Sequence, residues 1–325
     1  MIYDRLGQDQ KAIEFHQQSL AIAQELGFRP GIATSLNNLG IAYEGLGQYQ
    51  KAIEFHRQSL MVKQELGDRA EIAASLNNLG SAYYNLGQYQ QALEFHEKSL
   101  VINREIGGCQ ACSLNNLGAA YEGLGQYQKA LESYLESLVI SKKIGNLGME
   151  ALTLQNIGYL LEKQNQPKLA IALLKQSVNA TESIRYERLQ NLPRELQQSY
   201  IDSISGRYRR LADLLLKENR VLEAQRVLDL LKVQELEDYL KNVRGNANTA
   251  GGIEFYQPEQ EILARYNKLQ QNVIEIGKEL TQLQQKENLT PSEQQRRDQL
   301  DKILTEVKQQ FNEFSLIPKV TNQQQ

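Results

Sequence analysis

The stretch Ser75-Leu76-Asn77-Asn78-Leu79-Gly80-Ser81-Ala82-Tyr83-Tyr84-Asn85-Leu86-Gly87-Gln88-Tyr89-Gln90-Gln91-Ala92-Leu93-Glu94-Phe95-His96 recurs along the chain with few changes. Copies run from Ser35 to His56, 40 residues earlier, from Ser113 to Tyr134, 38 residues later, and more loosely from Thr153 to Leu174. Repetition at such a period is the mark of a solenoid, whose units bury their apolar faces only against their neighbours. Within the copy, Leu76, Leu79, Ala82 and Tyr83, then Tyr89, Ala92, Leu93, Phe95, His96 and Leu100, recur at helical spacing. Leu86-Gly87 divides the two runs, and the glycine accepts the positive φ that ends one helix and lets the next begin. Gly80 and Ala92 are small where the helices cross, so their axes can approach to about 8 to 10 Å. The expected fold class is all-α, a stack of helical hairpins.

The series Leu36, Leu39, Gly40, Tyr43, Gly47, Tyr49, Ala52 and His56 resembles the tetratricopeptide repeat, with Leu in place of the usual Trp at the first position. The resemblance implies a right-handed solenoid. Its usual period is about 34 residues, so each hairpin here has longer helices, similar to kinesin light chains and related long-repeat adaptors. Read in order, 1–187 is a solenoid whose first repeat lacks its opening turns, followed by repeats at about 30–66, 70–106, 109–144 and 148–187. Residues 188–243 read as a degenerate capping hairpin, 244–257 as a linker, 258–315 as an antiparallel coiled-coil-like hairpin, and 316–325 as a flexible tail. In that hairpin Ile262, Tyr266, Leu269, Val273, Ile276, Leu280 and Leu283 form one heptad seam, and Leu300, Leu304, Val307, Phe311 and Phe314 a second. Thr290-Pro291-Ser292-Glu293 supplies an N-cap, a proline at the first helical position and a capping-box glutamate for its second helix.

A formal charge of −3 gives no electrostatic reason to expect nucleic acid. Without a run of about 18 apolar residues nothing is expected to cross a membrane, and Asp4, Arg5, Asp9 and Lys11 interrupt any signal-peptide core. A cytoplasmic protein without cofactor is the expectation. His16, His56 and His96, one per repeat and roughly 10 Å apart in a stack, read as packed aromatic-type residues and not as a metal site. Cys109-Gln110-Ala111-Cys112 is a single CxxC at a helix start, which leaves a dithiol redox protein as a remote alternative. Arg207, Arg209 and Arg210 beside Tyr208 read as a solvated helix face. No catalytic constellation is apparent.

The polar feature that repeats is a ladder of amides: Asn37-Asn38, Asn77-Asn78, Asn115-Asn116 and, imperfectly, Gln155-Asn156. An amide offers both donor and acceptor and can pair with the backbone of an extended peptide whatever its side chains. One Asn of each pair can equally be committed to bonds within or between repeats, so the two roles divide naturally, Asn37, Asn77 and Asn115 for ligand and Asn38, Asn78 and Asn116 for structure. The family resemblance places this helix along the ligand groove, together with Ile41, Ser81, Glu44, Tyr84 and Glu122 a turn further on. The absence of Lys and Arg from the ladder disfavours a clamp for a C-terminal carboxylate. The expected partner is a protein or peptide, with self-association through the terminal hairpin as a further route.

The later helix Leu228-Asp229-Leu230-Leu231-Lys232-Val233-Gln234-Glu235-Leu236-Glu237-Asp238-Tyr239-Leu240, with the repeats and the hairpin, resembles the region preceding the caspase-like CHAT domain in bacterial, especially cyanobacterial, proteins. That resemblance implies a regulatory or substrate-recruiting module as the alternative to a free-standing scaffold, without the protease domain itself.

Overall fold

The computed structural model describes residues 9–189, 192–239, 255–284, 286 and 289–315. Among these residues the chain is helical, with a single π-helical turn at Arg185–Leu189 and no strand. The helices are α1 (Asp9–Glu25), α2 (Arg29–Gly45), α3 (Tyr49–Leu66), α4 (Arg69–Asn85), α5 (Tyr89–Ile106), α6 (Gln110–Gly123), α7 (Tyr127–Lys143), α8 (Leu147–Lys163), α9 (Pro167–Ile184), α10 (Arg194–Lys217), α11 (Val221–Tyr239), α12 (Gln257–Gln284) and α13 (Pro291–Ser315). They belong to two compact units, Met1–Thr153 with Leu189–Ser203, and Leu154–Arg188 with Ile204–Gln325. The expected tail, and all but the last three residues of the expected linker, lie outside the described residues.

In the first unit α2/α3, α4/α5 and α6/α7 are the hairpins read from the repeat. Each is closed by a glycine in the left-handed region, Gly47, Gly87 and Gly125, with φ of 70°, 81° and 72°. At the middle turn the Gly87 and Gln88 N–H groups bond the Tyr84 and Tyr83 carbonyls at 2.9 Å, which satisfies carbonyls that the end of α4 would otherwise leave open. The crossing of each hairpin is set by a second glycine. A Cβ placed on Gly80 would lie 2.4 Å from His96 Cε1, and the same crowding holds for Gly40 against His56 and Gly118 against Tyr134. His56 and His96 are accordingly buried, as expected of packed residues. Around this crossing Leu79, Ala82 and Ala92 are fully enclosed. Tyr43 stacks on Phe55 and Tyr83 on Phe95 at 5.2 and 5.3 Å between ring centres; Tyr121 has Ser133 at the corresponding place and meets Lys129 instead.

A second periodic set holds the hairpins together from inside. Ser59, Ser99 and Ser137, all buried, donate to the carbonyls of Ala33, Ala73 and Ala111 at 2.8 to 2.9 Å. Ser99 and Ser137 also reach the next repeat, at Ser113 (3.1 Å) and Thr153 (3.2 Å). Each of these two hydroxyls is both donor and acceptor, so Ser99 and Ser137 close their own hairpins and join them to the following repeat.

In the second unit the turn glycine is replaced. Asn165, between α8 and α9, and Asn219, between α10 and α11, take φ of 61° and 59° in its stead, the substitution that the left-handed region tolerates best after glycine. The α10/α11 hairpin is thus closed as the repeats are, although their motif letters have faded. Here a lysine is fully buried. Lys175 Nζ on α9 bonds Glu223 at 2.7 Å and Glu259 at 2.9 Å, Arg220 pairs with the same two carboxylates, and the Tyr256 ring covers Lys175 at 5.2 Å. The cluster ties α9, α11 and the start of α12 to one another. Beyond it the chain folds back on itself as expected: Arg296 on α13 forms a two-bond pair with Glu279 on α12, at 2.7 and 2.9 Å. Thr290 and Glu293 form the capping box, with the Thr290 N–H to Glu293 carboxylate bond at 2.8 Å.

One reading of the sequence is corrected in part: Arg207 is half-buried and bonds Gln155 at 2.6 Å and Thr181, while Arg209 and Arg210 are exposed and Arg210 pairs with Glu162 at 2.8 Å. Cys109 and Cys112 are joined by a disulfide, since an N-cap and the third helical residue face one another across one turn, with 5.3 Å between Cα atoms. Among the described residues no helix is long and apolar enough to cross a membrane.

Candidate functional site

The paired asparagines lie on one side of α2, α4 and α6, opposite the leucines that enter the core. Leu36 and Leu39 of α2 are buried while Asn37 and Asn38 are half-exposed, and Leu76 and Leu79 of α4 stand in the same relation to Asn77 and Asn78. The arrangement follows from helical pitch, which turns neighbours at positions i+1 and i+2 away from a core-facing residue.

The amides are bonded to one another across repeats. Asn78 Nδ2 donates to Asn37 Oδ1 at 2.9 Å, and Asn116 Nδ2 donates to Asn77 Oδ1 at 3.1 Å. The same Asn77 oxygen accepts from His96 Nδ1 at 2.9 Å, and Asn115, itself buried, accepts from Thr153 at 3.2 Å. The division of the two Asn columns into a ligand set and a structural set therefore does not hold. Each inter-repeat bond joins a first Asn to a second Asn, and removing either column severs it.

This direction of donation fixes what is left over. On Asn37 and Asn77 the oxygen is committed and the Nδ2 donors remain; on Asn78 and Asn116 the Nδ2 is committed and the oxygens remain. The face of α4 thus presents a donor and an acceptor side by side, with a further donor on α2 and a further acceptor on α6. Asn38 has no hydrogen-bond partner among the described residues. Asn156, with Gln155, lies in the second unit, where Gln155 accepts from Arg207.

Ile41, among the other expected residues, is exposed (43 %) on the amide side of α2. Ser81 turns its hydroxyl back to the Asn77 carbonyl at 3.1 Å. Glu44 bonds His56 Nε2 at 3.0 Å and Glu122 accepts from the Tyr134 hydroxyl at 3.1 Å, so both carboxylates are anchored to the second helix of their own hairpin. Tyr84, standing where the other two repeats have Glu, tilts against Tyr89 at 5.3 Å. With no carboxylate there, His96 turns to Asn77 instead, and the ladder gains a support that sequence reasoning missed; the signal was the Tyr84-for-Glu exchange in an otherwise constant repeat.

Burial lowers the His96 pKa from 6.5 to about 4. The unfolded chain takes up this proton near pH 6.5 and the native state only near pH 4, so His96 destabilises the fold as pH falls through that window. The loss is about 3 kcal/mol, complete below pH 4. His96→Leu, which copies the leucine that packs against Gly158 at position 174, should remove this component. Urea unfolding of both proteins at pH 7 and pH 4.5 checks it: the stability difference between them should change by about 2 to 3 kcal/mol, and an unchanged difference would refute the assignment.

Three stretches, residues 1–65, 71–143 and 109–183, the last two overlapping, match the family model described as tetratricopeptide repeat, more than half of the chain. No curated protein matches the sequence. Among solved structures the fold is similar to that of BtubC (BKLC) from P. vanneervenii, at 19 % identity and a TM-score of 0.55 over 73 % of this chain and 94 % of that one. It is also similar to the apo form of RapI, at 16 % identity and a TM-score of 0.53 over 74 % and 81 % of the two chains. Both are likenesses of fold.

Proposed function

Because the chain belongs to the tetratricopeptide-repeat family, we propose that it is a non-catalytic interaction scaffold whose amide face on α2, α4 and α6 receives an extended segment of a partner protein by its backbone. The observation that carries this reading is the direction of the ladder bonds, which leaves donors on Asn37 and Asn77 and acceptors on Asn78 and Asn116 on one face. Those are the two groups that every non-proline residue of an extended chain must satisfy. A ladder needed only for stability would gain nothing from leaving half of each amide open on the same side. Ile41, Ser81 and Tyr84 border this face, and Glu44 and Glu122, held by their hairpins, set a negative margin to it. Asn38, the second amide of α2, is proposed as a contact on the same face.

The test is selection of random 12-residue peptides on the full chain, followed by two scans of each binder. Replacement of side chains by Ala should mostly change affinity less than threefold. N-methylation of single backbone amides should lower it more than tenfold at several positions. Dominant side-chain effects with neutral N-methylation would sink the reading.

A further inference from the structure

The first turn of α6 carries a pair of sulfurs that the amide face does not use. We infer that Cys109 and Cys112 form a reversible thiol–disulfide exchange site for an external dithiol, with Cys109 as the sulfur that is attacked and Cys112 as the sulfur that leaves. At the start of α4, α6 and α8 the side chain that precedes the helix accepts from the backbone N–H three residues on. Asp68 accepts from Glu71 and Asn146 from Met149, both at 3.1 Å; at α6 the acceptor is the Cys109 sulfur, 3.3 Å from the Cys112 nitrogen. Sulfur thus stands where the neighbouring repeats use oxygen, and the residue that donates to it is itself a cysteine. The bridge joins residues that the helical turn already holds, with 5.3 Å between Cα atoms, and so short a ring restrains the unfolded chain least. Reduction therefore leaves the two sulfurs close together, ready to be joined again.

Access sorts the two sulfurs. Cys109 is exposed and Cys112 half-buried, and the two residues before Cys109, Gly107 and Gly108, have no side chain to cover it. The backbone beneath is held in place: the buried Asn103 donates to the Cys109 carbonyl at 3.4 Å and to the Ser113 hydroxyl at 3.0 Å. Exposed disulfides are the ones that exchange readily, and a helix N-terminus favours the thiolate that exchange releases. A thiolate of the dithiol attacks Cys109 Sγ; the S–S bond breaks and its electron pair passes to Cys112 Sγ, which takes up a proton. The dithiol's second thiol loses its proton to solvent and attacks the dithiol's sulfur in the mixed disulfide, closing the dithiol to a disulfide and releasing Cys109 as a thiolate that accepts from the Cys112 N–H. Two electrons pass from the dithiol to the chain, and the reverse sequence oxidises the chain again.

Dithiothreitol as the dithiol and oxidised glutathione as the oxidant test this on the full chain. After reduction and removal of dithiothreitol, a short pulse of iodoacetamide at pH 7 is read by tandem mass spectrometry. Expected is alkylation of Cys109 at least tenfold ahead of Cys112, and about threefold faster on the native chain than on the same chain in urea. Exposure alone cannot give that second gain, because unfolding exposes every thiol. Oxidised glutathione should return the reduced chain to its internal disulfide with no glutathione retained, and should leave glutathione on Cys109 in the Cys112→Ser variant. Cys109 alkylated no faster on the native chain than in urea, Cys112 the quicker of the two, or an oxidised chain that resists excess dithiothreitol until urea is added would each overturn the inference.

Discussion

Substituting Asp for Asn37 and Asn77 together should weaken the binding of a backbone-read peptide by about a hundredfold while leaving the thermal midpoint close to that of the native protein. The two effects separate because each introduced carboxylate keeps the oxygen that the ladder uses. The oxygen at position 37 still accepts from Asn78, and the oxygen at position 77 still accepts from Asn116 and His96. Only the outward donors are lost. Two missing hydrogen bonds of about 1 to 1.5 kcal/mol each account for roughly 2 to 3 kcal/mol, which is about 30- to 160-fold in affinity, and a carboxylate facing a ligand carbonyl adds repulsion. Replacing Asn78 and Asn116 by Ala instead severs both inter-repeat bonds, so it should lower stability and binding together. Calorimetric titration and thermal melts of the two variants distinguish the cases; an Asn37→Asp, Asn77→Asp protein that binds normally would contradict the role assigned to the donors.

Lys175→Met should destabilise the second unit by about 3 kcal/mol or more. Breaking a buried ion pair by removing one partner is more costly than never having formed it, because the remaining charges stay buried. After the change Arg220 is the one cation left of the cluster for Glu223 and Glu259, and Glu259, only 4 % exposed, keeps besides it the Tyr256 N–H. A second substitution, Glu259→Gln, should recover part of the loss by removing one unpaired charge. Urea unfolding of the three proteins provides the measurement. If Lys175→Met alone unfolds with the native midpoint, the cluster is not what holds α12 to α9 and α11.

The repeat pattern made the hairpins legible because three of its signals are local. Glycine at position 87 has to end α4, glycine at position 80 has to admit His96, and leucines at helical spacing have to face the core, so each could be read from a few adjacent letters. The serine network was equally periodic, yet a serine in a helix carries no sign of whether it is buried, and only the carbonyls of Ala33, Ala73 and Ala111 reveal its partners. The Lys175 cluster was out of reach for a different reason. Its partners Glu223 and Glu259 lie 48 and 84 residues away, beyond any repeat, and a lone lysine in an apolar run reads as a side chain reaching to solvent. The asparagine face was visible as a column of amides, but an amide's letter does not say which end it turns to its neighbour. Direction of donation is what makes the two columns one ladder, and it is also what leaves an ordered row of free groups. In the same way, Arg207 read as solvated because its amide partner Gln155 on α8 belongs to another repeat.

The most direct test of the amide face observes its side chains. With 15N-labelled asparagine, the side-chain Nδ2 resonances of Asn37 and Asn77 should shift on saturation with a bound peptide, and their exchange with solvent should slow, while those of Asn219 in the α10/α11 turn stay unchanged. Saturation by a peptide that leaves the Asn37 and Asn77 resonances and their exchange unaltered would contradict the account.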